Sequence, residues 1–352
     1  TVLDSAATAK RRNCKCDTEE LSHARRVLSG KTLGSKGVSF HFNGSVFQEI
    51  RALKPTLIVC AGSWNMPTVW MVLAAAKLRS IKTMFWSEGH ADAQRHSGGG
   101  VAFARRSILR QFDGFAVPNQ KSRQWIEQQL GVLSSRKACV NLPNTVNESF
   151  FEEAPLTQPE HLALQYNVGG KKLIVQIALL EQWKGCVELA EAFSQLPERV
   201  ASQYALVFVG SGSLEPQLQS IASKSPNTIV LTGNQPLKSV RDWLSLARWF
   251  VLNTFRDPNP LTPIEASFAK VALMISSKAG NVDELCTAET GIRIEDPAKP
   301  TNALLEALSL SDREVDEMAA AAQANARANF TREMVVSNFL ADVSPLLSKV
   351  IT

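Results

Sequence analysis

The chain has 352 residues, 45% hydrophobic and 20% charged, a globular composition that excludes disordered, collagen-like and disulfide-scaffold classes; at roughly 100–200 residues per domain it implies two domains. Net charge is only +5, yet residues 1–150 carry 21 basic against 10 acidic side chains (+11) and the rest 17 against 23 (−6). A split of that size directs the N-terminal half toward an anionic partner.

The opening segment, "TVLDSAATAKRRNCKCDTEEL", has no clear pattern. Cys14 and Cys16 have no second pair at metal-ligand spacing, so no zinc site is implied. "LSGKT" at 28–32 is reminiscent of a phosphate loop, but Arg25 stands where its first glycine belongs. The residues ahead of it read as helix rather than strand, which also argues against that loop. From about residue 37, "GVSFHF", "TLIVCAG", "KTMFWS", "GFAVPN" and "KACVNLP" predict strands. Between them "VFQEIRALK", "PTVWMVLAAAKLR", "VAFARRSILRQF" and "QKSRQWIEQQL" predict helices. Alternation of this kind predicts a parallel sheet covered on both faces. The pattern pauses near 151–171, the best linker candidate. It resumes with the strands "KLIVQI", "YALVFVG", "TIVLTG", "RWFVLN", "VALMIS" and "GIRI", and closes with three helices from Asn302 to Val350, broken near Asp312 and Thr331.

The six scattered cysteines read as buried free thiols in a reducing compartment. "PTVWMVLAAAKL" is too short to span a bilayer, and no signal peptide is read. His23, His41, His96 and His161 have no partner at metal spacing and read as structural.

Two doubly wound domains facing each other make a cleft, and ligands bind such sheets beyond the carboxyl ends of the strands. Residues in the strand-to-helix loops are therefore the site candidates. Lys184 and Gly185 stand at the mouth of an amphipathic helix, where a cation and free amides suit a phosphate, although a lysine there also suits plain solvent. Gly210, Gly212 and Gly233 follow strands and permit close backbone approach, or simply tight turns. Asp257 follows the fourth strand, and Glu265 lies early in the next helix with seven residues between them. Thr262-Pro263-Ile264-Glu265 also fits a capping box with Thr262 as N-cap, which competes for the Glu265 carboxylate. In that geometry the amides of Leu261 and Thr262 face an anion. Glu88 and His90 follow a first-half strand and are candidates to line the cleft.

These motifs, "LLEQWKG", "FVGSG", "DPNPLTPIEA", "SSKAGNVDEL" and "LPNTVNESFF", stand in the order and spacing of the retaining glycosyltransferases of family 4, which the chain resembles over about 60–350. The resemblance implies the α/β GT-B fold, two facing Rossmann-like doubly wound domains. It divides the chain into an acceptor-side domain 1–157, a donor domain 158–330, and a C-terminal helix 331–352 returning to the first. It implies transfer of a sugar from a UDP- or GDP-type nucleotide sugar to an acceptor hydroxyl in bacterial glycan or glycolipid assembly. Lys184, with Gly185, would then hold the diphosphate and Glu265 the ribose. Asp257 would meet the donor sugar, and the amides of Leu261 and Thr262 the phosphate. The three loop glycines 210, 212 and 233 would border the donor, and Glu88 or His90 would take the place of the family's cleft histidine. No metal and no other cofactor is expected, since no Asp-x-Asp pair occurs.

The chain departs from that pattern at Leu179, where a basic residue is usual, and in lacking a clear glycine-rich loop after the first strand. A non-catalytic nucleotide-sugar binder on the same fold is therefore the first rival. A phosphorylase or epimerase of the same fold is the second, and a nucleic-acid protein is disfavoured because few aromatics interleave the basic residues. The basic half implies an anionic glycan or lipid-linked acceptor. "VAFARRSILRQFDGF" reads as a basic amphipathic helix able to touch an anionic membrane, which gives a cytoplasmic, peripheral location on the inner face.

Overall fold

The computed structural model describes residues 1–4, 24–33, 40–91, 98–153 and 159–348. Cys14, Cys16, His23 and His96 lie outside them. In the first half, β1 (Val2–Asp4) and β2 (Arg25–Val27) pair in parallel, while β3 (Lys31–Leu33) and β4 (Phe40–Phe42) pair antiparallel. β5 (Leu57–Ala61), β6 (Lys82–Trp86), β7 (Gly114–Val117) and β8 (Ala138–Asn141) form a wholly parallel sheet in that order. The residues ahead of "LSGKT" are thus strand β2 and not helix. A phosphate loop is still absent, because strand β3 rather than a helix N-terminus follows it.

The second half is a six-stranded parallel sheet of β9 (Lys172–Ile177), β10 (Tyr204–Val209), β11 (Thr228–Leu231), β12 (Ala247–Leu252), β13 (Ala272–Ser276) and β14 (Gly291–Ile294). Its spatial order is β11-β10-β9-β12-β13-β14, the Rossmann order, with the direction of winding reversing between β9 and β12. Each strand alternates between two cores. Leu173, Val175 and Ile177 of β9 join one, with Phe250, Leu252, Leu273 and Ile275, and Ile174 joins the other with Trp249, Val251 and Met274. A near-continuous apolar strand sequence is what burial on both faces requires.

The first sheet is built the same way. Phe85, Phe115 and Val117 face helices Pro67–Lys77, Gly99–Leu109 and Gln120–Leu130, while Met84, Ala116 and Val140 face Val343. Val343 belongs to helix Arg332–Ser348, which leaves the second half to cover the first sheet. The final three helices run Thr301–Ser309, Asp312–Asn329 and Arg332–Ser348, close to the expected breaks. The stretch read as a linker is partly structured. Helix Glu148–Glu152 overlaps its start and helix Pro159–Gln165 lies inside it, and Phe151 and Val168 are buried in the second half's core that holds Leu173, Val175 and Ile177. Cys60, Cys186 and Cys286 are buried free thiols, and burial pushes each up to about 12. No described helix is long and apolar enough to cross a membrane.

Candidate functional site

The loops that leave β9 and β12 meet at the reversal of the second sheet. Gln176, a fully buried polar side chain near the end of β9, donates its amide to the Lys184 carbonyl at 3.0 Å. A short 3-10 turn, Gln182–Lys184, then ends at Gly185, whose φ of 60° and ψ of 27° are left-handed. A Cβ there would lie 1.9 Å from the Asn253 carbonyl oxygen, so glycine is what lets the two loops touch. Asn253, fully buried, donates to the Gly185 and Pro297 carbonyls, each at 2.9 Å. The Thr254 hydroxyl and the Phe255 amide both donate to the Trp183 carbonyl at 2.8 Å. This stitching brings Lys184 to Asp257, and the two form an ion pair with side chains only 15% and 17% exposed. Arg256 lies over the Trp183 ring at 5.9 Å.

Asp257 is braced by the loop after β13. Its carbonyl accepts the Gly280 amide at 2.7 Å, and its backbone bridges to Ala279. Helix Thr262–Phe268 follows, with Pro263 near its start. Leu261, not Thr262, is its N-cap, because Leu261 is already helical (φ −85°, ψ −34°) and its carbonyl accepts the Ile264 and Glu265 amides. The expected capping box is therefore not formed, and Glu265 is released from it. Its carboxylate is half-buried and has no hydrogen-bond partner among the described residues; burial raises its pKa to about 7. The amides of Leu261 and Thr262 lie at the open helix end, where first-turn amides lack an intrahelical acceptor.

The glycines after β10 and β11 divide by role. Added Cβ atoms at Gly210 and Gly212 would lie 2.0 and 2.4 Å from the carbonyl oxygens of Ala178 and Leu180. Both therefore admit the loop after β9. Gly233 has a φ of 69° and open space beside it, and its carbonyl accepts the Gly210 amide at 2.9 Å. Leu179 is 60% exposed in the same loop.

From the first half, Glu88 lies beyond β6 and accepts from Asn144 at 3.2 Å and from Asn259 at 3.1 Å. Asn259 is two residues past Asp257, so Glu88 of the first half reaches the loop of the second half that carries Asp257. His90 is buried nearby. Sequence reasoning missed Asn119, Lys121, Asn253, Asn259 and Gly280, which act through backbone carbonyls or on a side chain from a distant segment. Two quoted motifs carried signal, "DPNPLTPIEA" for Asn259 and "SSKAGNVDEL" for Gly280.

Residues 162–329 match the family model described as glycosyl transferases group 1. The matched segment is similar to that family. A group 1 match there covers the loops that hold Lys184, Asp257 and Glu265. The chain is also 31% identical over 144 residues to TuaC of Bacillus subtilis (strain 168), named as a teichuronic acid biosynthesis glycosyltransferase. That stretch is 41% of this chain and spans only about a third, 34%, of the relative's length. Anabaena Alr3699/HepE, solved in complex with UDP, superposes with a TM-score of 0.72 at 15% identity, covering 92% of this chain and 86% of that one. A Rickettsia africae ESF-5 glycosyltransferase gives 0.69 at 16% identity over 86% and 79% of the two chains. The Thermosynechococcus elongatus sucrose-phosphate synthase gives 0.67 at 16% over 94% and 86%. The fold is GT-B, as the sequence resemblance implied.

Proposed function

We propose that the protein is a retaining glycosyltransferase that takes a sugar from a UDP- or GDP-type nucleotide sugar in bacterial glycan or glycolipid assembly. The observation that carries this reading is the meeting of Lys184 and Asp257 at the strand-order reversal, together with the unpartnered Glu265 carboxylate in the first turn of the helix that follows. Nucleotide-sugar use is supported by the Anabaena neighbour, which was solved with UDP-glucose.

In this mechanism Lys184 exchanges its carboxylate partner for the donor diphosphate, and the amides of Leu261 and Thr262 add to that hold. Gly185 and Gly233 border the donor, Glu265 accepts from the ribose hydroxyls, and Asp257 receives hydroxyls of the donor sugar. The bond from the anomeric carbon to the phosphate oxygen breaks while Lys184 offsets the charge developing on that oxygen. Stabilisation of developing charge by groups already in place usually lowers such barriers more than any other effect. The acceptor oxygen bonds to the same carbon on the same face, and its proton passes to the leaving phosphate. Glu88, bonded to Asn259, orients the acceptor side with His90 behind it. No metal enters this scheme, because Lys184 supplies the positive charge.

The acceptor is an anionic glycan or a lipid-linked glycan. Contact with an anionic membrane is supported by helix Gly99–Leu109, on which exposed Phe103 stands at i, i+3 and i+7 spacing from exposed Arg106 and neighbouring Arg110, so that an apolar ring and two cations share one face. Such a contact puts the protein at the cytoplasmic face of the membrane, with no nucleic-acid partner.

Exposed Leu179, in place of a cation, favours a second reading as a non-catalytic nucleotide-sugar binder. Thermal shifts with UDP, GDP, ADP and TDP identify the base, because a fitting ligand raises the melting temperature. A labelled-donor assay separates the readings. A transferase releases nucleotide and labels an acceptor, whereas a binder protects the donor intact. Lys184→Ala is expected to weaken nucleotide binding by about 1.5–3 kcal/mol, the range for a charged hydrogen bond. Unchanged binding in that variant would sink both readings of the site.

A further inference from the structure

The start of helix Gln120–Leu130 belongs to the first half, yet it grips the second half at three consecutive residues. Asn119 Nδ2 donates to the Pro258 carbonyl at 2.9 Å. The Gln120 amide donates to Glu284 Oε1 at 2.5 Å. Lys121 Nζ donates to the Ser277 carbonyl and, at 3.0 Å, to the Ala279 carbonyl. The carbonyl acceptors belong to the backbone that holds Asp257. Pro258 follows it directly, Ala279 bridges to it, and the Gly280 amide bonds its carbonyl. Gly280 leaves space for the contact, since a Cβ there would lie 1.7 Å from the Pro258 oxygen and 3.1 Å from Asn119 Nδ2. Asn119 is only 2% exposed and has a second task, because its Oδ1 caps the helix by accepting the Ser122 amide at 2.9 Å.

We infer that Asn119 and Lys121 are positioning residues, a brace through which the acceptor-side domain sets the placement of Asp257 in the donor site. Lys121 directs its ammonium at two neutral carbonyls of one loop, an arrangement suited to fixing that backbone in place. The brace acts only when the two domains are apposed, so Asp257 is fully placed only in that arrangement. Nucleotide held mainly by Lys184 and Glu265 does not need it. The catalytic consequence rests on the transferase reading above; the mechanical one does not.

Two variants separate the brace from the helix cap. Asn119→Asp keeps an oxygen to cap the helix, since Asp and Asn cap equally well, but removes the donor to Pro258. Lys121→Met removes both carbonyl contacts and keeps the stem. Hydrogen exchange on the full chain is expected to speed up about tenfold or more in peptides covering 254–260 and 277–284, with 122–130 unchanged. Unaltered exchange at 254–260 and 277–284 in both variants would overturn the brace, whether or not the protein is active. In the transfer assay kcat is expected to fall about tenfold or more, the scale of a small misplacement at a reacting centre. The UDP affinity is expected to stay within about threefold, and Lys121→Arg to restore kcat. In an Asp257→Asn background Asn119→Asp is expected to add no further loss, whereas additive losses would show that it acts elsewhere. A wild-type protein with no transfer to any acceptor sinks the functional reading alone, and exchange then decides the brace.

Discussion

Glu265 is held near 7 by burial alone, with no partner to stabilise either form. The raised value means that the folded protein binds this proton more tightly than the unfolded chain does. Its contribution to stability is therefore complete below about pH 4.5 and is lost as pH rises through about 7. At about 1.4 kcal/mol per pKa unit the loss is up to about 3 kcal/mol. Nucleotide affinity is expected to run the opposite way, because the ionised carboxylate is the better acceptor for ribose hydroxyls. Measured from about pH 5 to 8.5, UDP affinity rises and melting temperature falls in the wild type beyond any change in Glu265→Gln. Parallel pH profiles in the two proteins would remove Glu265 from the ribose site. The sequence made this carboxylate visible by its distance from Asp257, but it also offered a capping box. Leu261 decided between them by entering the helix one residue early, a backbone choice that side-chain identity alone does not fix.

The loops, rather than the strands, distinguish this candidate site, and their glycines are its most demanding positions. Gly185 is left-handed and pressed against the Asn253 backbone carbonyl, which cannot give way as a flexible side chain would. Gly185→Ala is expected to destabilise by about 2 kcal/mol or more, from left-handed strain together with the clash. Urea unfolding checks this as a lower midpoint at unchanged slope. Gly169, with nothing near its Cβ position, is the control, and Gly169→Ala is expected to be near neutral. Strand positions were legible because short, near-continuous apolar runs fit a sheet covered on both faces. Gln120–Leu130 was legible to the residue because polar and apolar positions alternate at helical spacing there. Helix Gly99–Leu109 contains Arg105 and Arg106 but ends before the last residues of the 101–115 segment read as one amphipathic helix. Asn253 and Asn119 were illegible for a different reason: each donates to carbonyls on distant loops, and a carbonyl has no residue identity to read.

Across the whole molecule the charge division follows the domain division, +11 before residue 150 and −6 after it. If the basic half meets an anionic surface, binding to anionic liposomes is expected to exceed binding to neutral ones and to fall with salt. Phe103, 73% exposed on helix Gly99–Leu109, should add to it, so that Phe103→Asp weakens sedimentation with anionic vesicles several-fold. Equal, salt-independent binding to both vesicle types would sink the membrane contact. The overall two-domain plan was readable from alternating patterns, while the docking of one domain on the other was not, because it runs through single contacts such as Asn119 to Pro258.

Helix Arg332–Ser348, which covers the second face of the first sheet, has a consequence for how the chain is made. During synthesis β5 to β8 emerge long before Val343, so Met84, Ala116 and Val140 wait with their lid still unmade. An N-terminal fragment ending in the stretch around 154–158 would carry that bare apolar face permanently. Domains often fold in order as they leave the ribosome, but here the first domain matures only after the second.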